Sequence, residues 1–375
     1  MRSAYLVAAR RTAVAPRGGA FKAVEVDELG AAPIRAVLAD TGITPETIDD
    51  VIFGNALYGG GNPARLAALR AGLPDHIPAL TIDSQCCSGL DAILLAAERI
   101  ASGGADAIIA GGVESFSRAP LRARRPRHAD DVPQPYDRPP FAPWPERDPD
   151  MIAAAATLAE RFGISRERQD EFAIGSHRKA LQNPPGAPEL VPLAHLSHDA
   201  FPRVLTRATC ARLAPLAGEA AFGVTRATVA VEADAAAALL VVSETMARRL
   251  KARRPLRIMS AWRRGGDPAM PGTAPVAPAV RLLAAERIAP ARIAVAEVME
   301  AFAAQAIACV DGIGVPESSL NRGGGGLARG HPIGASGAIL AVRLWHEMQS
   351  EPTGALGLAA IAAAGGLGSV LIAAV

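Results

Sequence analysis

The sequence predicts an α/β protein with a largely buried sheet, built as two similar halves around an inserted segment. Three observations predict it. Apolar runs of strand length alternate with segments of helix length. Residues of the first half recur in the second at a constant offset of 245. Between the halves, residues 118–150 break the pattern with closely spaced arginine and proline.

The elements read in order as follows. Ala4–Ala9 is expected as a strand, and Val26–Asp40 as a helix closed by Gly42. Asp50–Phe53 is a short strand, and Ser88–Ile100 a helix. It leads into the strand Ala107–Ala110 and a Gly111-Gly112 turn. Arg118, Arg122, Arg124, Arg125 and Arg127, then prolines from Pro133 to Pro149, exclude a central strand or a long helix. Met151–Phe162 and Arg166–Gln182 are helices, and Ala235–Val242 returns to complete the first sheet. Residues 355–375 carry no charge and reach membrane-spanning length. Gly357, Gly365, Gly366 and Gly368 instead predict two buried strands around a glycine turn. The expected organisation is 1–117 plus 232–252 as the N-terminal half, 118–231 as a loop-rich lid, and 253–375 as the C-terminal half.

In the repeat, Pro33, Leu38, Ile43, Pro45 and Ile48 are answered by Pro278, Leu283, Ile288, Pro290 and Ile293. The same offset carries Cys86 onto His331 and Gly89 onto Gly334, and Gly111-Gly112 is echoed by Gly365-Gly366 at a changed offset. Halves packed about a pseudo-two-fold axis place such equivalent loops side by side.

Composition narrows the function. A chain of 375 residues exceeds one ordinary core. Half of it is apolar and only 4% aromatic, so the core is mainly Ala, Val, Leu and Ile. With 39 basic against 37 acidic residues there is no basic excess for nucleic acid. None of Cys86, Cys87, Cys210 and Cys309 stands at a metal-finger spacing, and adjacent cysteines bridge badly, so no metal and a reduced, cytoplasmic protein are expected. The apolar run within residues 1–11 is too short for a signal peptide.

Two segments carry candidate chemistry. In Ile82-Asp-Ser-Gln-Cys-Cys-Ser-Gly-Leu90, Cys86 stands at a helix start. Unpaired N–H groups and the helix dipole there favour the thiolate. The segment alone fits a buried structural cysteine equally well. In Gly330-His-Pro-Ile-Gly-Ala-Ser-Gly337, His331 also opens a helix and is a candidate base or oxyanion donor. Gly323–Gly326 ahead of it could cradle phosphate, yet the P-loop and dinucleotide spacings are absent. A lone histidine is more often structural. The repeat sets this one opposite Cys86, and a Cys–His pair in one pocket is an acyl-transfer arrangement. Cys87 and Cys309 read as packing residues, and Cys210 as an exposed thiol of the lid.

Cys86-Cys-Ser-Gly-Leu90, Gly111-Gly-Val-Glu-Ser-Phe-Ser117, Glu300-Ala-Phe-Ala303 and Gly330–Gly337 resemble, in order and spacing, the signatures of the thiolase family, as does Asn62-Pro-Ala-Arg65. The likeness covers almost the whole chain and is weakest in the lid. It implies the thiolase fold: duplicated α/β halves packed as five layers, α/β/α/β/α, with an inserted loop-rich lid domain gripping coenzyme A. It implies no permanently bound cofactor, a coenzyme A or carrier-bound thioester as substrate, and a homodimer or homotetramer. It also implies an acyl group carried on Cys86, with His331 activating it.

The pattern departs from the family at several positions. Met299 replaces the asparagine that holds an oxyanion-hole water in the family, and a thioether cannot hold that water. Loss of one such donor costs about 3 kcal/mol in a transition state. Ala362 replaces the cysteine that removes the α-proton. Ala364 replaces a glycine, leaving its N–H as an oxyanion donor beside Gly334. Asp150 stands where a histidine is usual, and Ala227-Thr-Val-Ala230 replaces a Gly-Asn-Ala-Ser-Gly stretch. Met151, Arg203 and Arg207 are the candidate coenzyme A contacts. The arginines from Arg118 to Arg127 read as a solvated surface in preference to a phosphate site, and Glu114 and Glu300 as supports for loops. The expected outcome is an acyl-enzyme with an impaired or altered Claisen and thiolysis step. The alternatives are decarboxylative condensation, transfer to another acceptor, or a catalytically weak subunit of an active partner.

Overall fold

The computed structural model describes residues 2–128 and 130–375, so Met1 and Ala129, within the first half and the lid of the expected division, fall outside the described residues. The first half contributes strands β1 (Ala4–Thr12), β2 (Asp50–Gly54), β3 (Ala79–Ile82), β4 (Ala107–Glu114) and β5 (Ala233–Ser243). The second contributes β6 (Leu256–Gly265), β7 (Ile293–Val298), β8 (Leu356–Ala363) and β9 (Leu367–Ala374). The order across the sheet is β7-β8-β9-β6-β1-β5-β4-β2-β3. The halves join where Ala4, Tyr5 and Leu6 pair antiparallel with Ile258, Arg257 and Leu256. Their sheets are thus continuous.

The repeat is visible in the backbone. In the first half β2 runs parallel to β4, and β4 antiparallel to β5. In the second, β7 runs parallel to β8, and β8 antiparallel to β9. A lone parallel bridge, Ala296 to Leu320, stands where β2 pairs β3 in the first half. Helix α1 (Val26–Thr41) ends at Gly42 with φ +62°, and Arg287, 245 residues later, repeats this left-handed conformation at φ +55°.

Parallel strands need crossovers, and these supply the helices. α1 and α2 (Pro63–Arg70) cover the outer face of the first sheet, where Leu29, Ile34, Phe53, Ala67 and Ile109 form one core. α6 (Val276–Ala285) and α7 (Ala303–Ile313) cover the outer face of the second around Leu283, Cys309, Leu358 and Ile372. Between the sheets lie α3 (Ser88–Ser102) and α8 (Ile333–Met348), with Leu90, Ile93, Ile108, Leu239, Leu340 and Ile361 in the largest core. Successive residues of β4 alternate between cores, Ile108 and Ala110 facing inward and Ala107 and Ile109 outward. The packing is five layers of α/β/α/β/α.

Several expectations need correction. Gly111 and Gly112 do not form a turn; they lie inside the buried strand β4. A Cβ at Gly112 would sit 2.3 Å from the Gly334 carbonyl oxygen, so the missing side chain lets α8 lie on the strand. Register equates Gly111-Gly112 with Ala360-Ile361, not with Gly365-Gly366. The latter do form the β8–β9 turn, with φ +76° and +79°. Cys210 is fully buried, among Ala173, Leu205 and Leu327, rather than exposed. Among the described residues, no helix is long and apolar enough to cross a membrane.

The segment between β4 and β5 holds α4 (Met151–Arg161) and α5 (Arg166–Gln182). Buried ion pairs fasten it to both halves. Arg11 of β1, with no exposed surface, meets Glu189 at 2.6 Å and Asp199 at 2.7 Å, and Arg343 of α8 meets the other oxygen of Glu189 at 2.5 Å.

Candidate active site

α3 and α8 begin at the carboxyl ends of the parallel strands, where open α/β sheets place their sites. A Cβ on Gly337 would fall 2.4 Å from the Leu90 nitrogen, so the two helices cross backbone to backbone. The crossing brings Cys86, in the turn ahead of α3, to His331, just ahead of α8. Sγ and Nε2 are 3.1 Å apart.

The surroundings fix the imidazole. Ser336 Oγ lies 2.7 Å from Nδ1 and donates its proton to the Pro332 carbonyl at 3.1 Å. Its one hydrogen being committed, Ser336 accepts from Nδ1–H. The lone pair of Nε2 then faces the thiol. The His331 backbone N–H donates to Val231 O at 2.8 Å.

Protonation departs from the sequence expectation. Burial pushes the Cys86 thiol up to about 12, against the backbone N–H groups of Ala364 and Cys86 that point at the sulfur. Burial also pulls His331 down to about 4. Desolvation outweighs the helix terminus, and the resting pair is thiol and neutral imidazole, not thiolate and imidazolium. The residue is half-buried, open toward the cavity, while the sulfur itself is closely walled.

Gln85, beside the nucleophile, holds a left-handed φ of +56°. Its N–H donates to Asp83 Oδ1 at 2.8 Å, which fixes the strained turn. Ser88 closes the same turn, accepting from Ser84 N–H at 2.8 Å and donating to Gln85 O at 2.6 Å.

Glu114 lies beneath the histidine loop. Its carboxylate accepts from Asn55 Nδ2, Ala56 N and Gly334 N at 2.9 Å and Leu57 N at 3.2 Å, and burial raises it to about 7. Glu300 joins the inserted segment to the glycine loop, accepting from Ser176 Oγ and Asn321 Nδ2 at 2.6 Å. Both carboxylates support loops.

A cavity of about 180 Å³ opens at Cys86 and His331. Met151, Ala154, Ala155 and Leu158 give it one helical wall, and Phe302, Pro271 and Gly272 face them. Ala362, Ala363 and Ala364 line the side near the sulfur. The predicted residues Cys86, His331, Ala364 and Met151 therefore meet here. Other predicted residues stand elsewhere. Met299 is buried in the central core, packed against Gly326, outside the cavity wall. Gly334 is buried in the helix crossing, its N–H taken by Glu114. Arg203 lies over the Phe201 ring at 4.0 Å, and Arg207 pairs with Glu171, both away from the wall. Asp150 caps α4 through Ile152 N and Ala153 N. The Gly323–Gly326 loop cradles its own protein: a Cβ on Gly325 would fall 2.0 Å from Glu300 Cδ, which leaves no room for phosphate.

Sequence reasoning missed Ser336, Gln85 and the α4 wall. The stripe Met151, Ala154, Ala155, Leu158, at i, i+3, i+4 and i+7, was the available signal for the last.

Comparison with known proteins shows the family of the chain. Residues 4–245 match the model of the thiolase N-terminal domain, and residues 253–374 that of the thiolase C-terminal domain. The chain belongs to the thiolase family. Within it, YhfS of Bacillus subtilis strain 168, provisionally named an acetyl-CoA C-acetyltransferase, is 38% identical, covering 99% of this chain and 98% of its own length. VraB of Staphylococcus aureus strain MRSA252, provisionally named likewise, is 36% identical over 99% of both chains. The crystal structure of the Bacillus anthracis acetyl-CoA acetyltransferase superposes with a TM-score of 0.86 at 30% identity, covering 100% of this chain and 99% of that one. The five-layered packing is thus the thiolase fold, and the protein is an acyltransferase of the thiolase type.

Proposed function

We propose that this thiolase takes an acyl group from an acyl-CoA onto Cys86 and passes it to an acceptor that needs no proton-abstracting side chain from the enzyme. The observation that carries this reading is the cavity wall, whose only ionisable side chains among the described residues are Cys86 and His331.

In the first half-reaction, Sγ attacks the thioester carbonyl while its proton passes to Nε2 of His331, 3.1 Å away. The backbone N–H of Ala364, which points at the sulfur, is placed to receive the developing oxyanion. The C–S bond to coenzyme A then breaks, and the departing sulfur takes the proton from His331. Ser336 holds the tautomer this transfer requires.

The second half-reaction differs from a Claisen condensation begun by α-proton removal. Ala362 faces the cavity with a methyl group, and Met299 brings no polar atom to it. The same observation favours a second reading, decarboxylative condensation, because loss of carbon dioxide supplies the carbanion without a base. Met151 belongs to the thioester pocket; nothing in the placement of Arg203 and Arg207 supports a contact with coenzyme A.

A homodimer is part of the proposal. β3 ends the sheet, and Leu80 on it is exposed beside Leu66 and Leu69 of α2. Such an edge is matched by a second copy of itself. Leu80→Lys should leave a monomer by light scattering; an unchanged dimer would remove this part of the reading.

Incubation with acetyl-CoA followed by intact-mass measurement tests the acyl-enzyme. An acetyl adduct absent from Cys86→Ala is expected. Thiolysis of acetoacetyl-CoA at ordinary thiolase rates would overturn the reading of the second step.

A further inference from the structure

Acylation needs two groups that come from different halves of the chain. Cys86 stands in the turn ahead of α3, and the Ala364 N–H that points at its sulfur follows β8. The thioester carbonyl has to fit between them, so their spacing is set from behind.

Asp91 lies there. It occupies the first turn of α3 and is only 2% exposed. Its oxygens bond to two serine hydroxyls. Oδ2 accepts from Ser84 Oγ at 2.6 Å, and Oδ1 accepts from Ser369 Oγ at 2.5 Å. Hydroxyl-to-carboxylate bonds this short are the strong, charge-assisted kind. Ser84 opens the Cys86 turn, where its carbonyl accepts from Cys87 N–H at 3.3 Å. Ser369, buried on β9, pairs with Ile361 of β8, three residues before Ala364. One carboxylate therefore clamps the turn of the nucleophile to the hairpin that presents the oxyanion N–H. A second link, Cys87 Sγ donating to Ile361 O at 3.5 Å, is the weaker bond of a thiol.

The internal repeat gives Asp91 a counterpart. The offset of 245 carries it onto Ser336, as it carries Cys86 onto His331. Asp91 and Ser336 are each the fourth residue of their helix. Ser336 fixes the imidazole, and Asp91, from the equivalent place, ties down the turn of the thiol.

We propose that Asp91 is a positioning residue for acyl transfer, holding the Cys86 sulfur and the Ala364 N–H at the spacing the tetrahedral oxyanion requires. This rests on the proposed acyl-enzyme and deepens it. The Cys86 C–S bond forms while the carbonyl oxygen takes up negative charge at the Ala364 N–H. The C–S bond to coenzyme A then breaks, and the departing sulfur takes the proton that His331 held. Asp91 touches none of these atoms and acts through the two strands of backbone it joins.

The test compares two reactions of the same sulfur, each followed by intact mass with Cys86→Ala as control. Acylation by acetyl-CoA builds an oxyanion, whereas alkylation by iodoacetamide displaces iodide and builds none. Asp91→Ala should slow acylation about ten- to a hundredfold, as displacement of a reacting group does. Alkylation should change by no more than about twofold, since it uses no oxyanion donor, and that retained reaction shows the variant is folded. Asp91→Asn still accepts from one hydroxyl and can donate to the other, so it should recover most of the acylation rate. If Asp91→Ala does not fold, Ser84→Ala and Ser369→Ala decide. Each alone opens the clamp, so the double variant should acylate no more slowly than the slower single one. Unchanged acylation, equal slowing of both reactions, or serine effects that multiply overturns the positioning role and leaves the acyl-enzyme standing. No acetyl adduct on Cys86 of the wild type overturns both.

Discussion

Cys86 and His331 are 245 residues apart in the chain and 3.1 Å apart in space, and both lack charge at rest. A pair poised in this way reacts by proton transfer during attack and not through a standing thiolate. Its pH dependence should therefore be flat between the two ionisations, near 4 and 12. From pH 5.5 to 9, acylation should change by no more than about twofold, since neither group titrates there. A limb near pH 6.5 would show a free imidazole and sink the neutral pair.

The same shifts act on stability. His331 is pulled below its ordinary value, so between about 4 and 6.5 the unfolded chain binds its proton more strongly. Stability should fall as pH drops through that window, by about 3 kcal/mol from this group when the fall is complete. Cys86 is pushed up, so its contribution declines as pH rises from about 9 toward 12. Denaturant titration of wild type against His331→Phe checks the acidic limb. The variant should lose less stability between pH 6.5 and 4.5.

Ser336 fixes the tautomer through Nδ1. In Ser336→Ala the imidazole is free to turn its N–H toward the thiol, which removes the acceptor. Acylation should fall about tenfold or more, within the range that general-base catalysis contributes, with thermal stability nearly unchanged. Ser336→Thr keeps the hydroxyl and should restore most of the rate. Equal rates for all three forms would exclude the role.

Ala362 faces the cavity that holds Cys86 and His331. A thiol introduced there supplies the missing proton acceptor. Ala362→Cys should raise acetoacetyl-CoA thiolysis at least tenfold over the wild type, as an added general acid-base group does. No gain in a folded variant that still acylates Cys86 would place the block elsewhere.

Glu114 accepts four hydrogen bonds, two of them from Asn55 and Gly334, on either side of the helix crossing. In Glu114→Gln an NH₂ group meets backbone N–H groups, leaving at least one buried donor unpaired. The cost should be about 1–3 kcal/mol in denaturant unfolding. Unchanged stability would mean that the carboxylate carries no such tie.

Much of this was legible in the chain. The apolar periods gave Met151–Arg161 and Arg166–Gln182 nearly to the residue, and the uncharged tail resolved into β8 and β9 around Gly365-Gly366. The offset that joins Pro33 to Pro278 also joined Cys86 to His331. What escaped depends on neighbours that local sequence does not name. Gly111-Gly112 looks like a turn until α8 is known to press on it. The thiol looks activated by its helix until the surrounding core desolvates it. Position 299 belongs to an oxyanion site by motif, but a methionine there turns into the core beside Gly326.

Arg11, Glu189, Asp199 and Arg343 hold the inserted segment against both halves from within. Parting a buried pair of this kind costs about 3–5 kcal/mol, an excursion found in roughly one molecule in a hundred to several thousand at any instant. The stretch from Glu189 to Asp199 is therefore bolted to β1 and α8 rather than hinged.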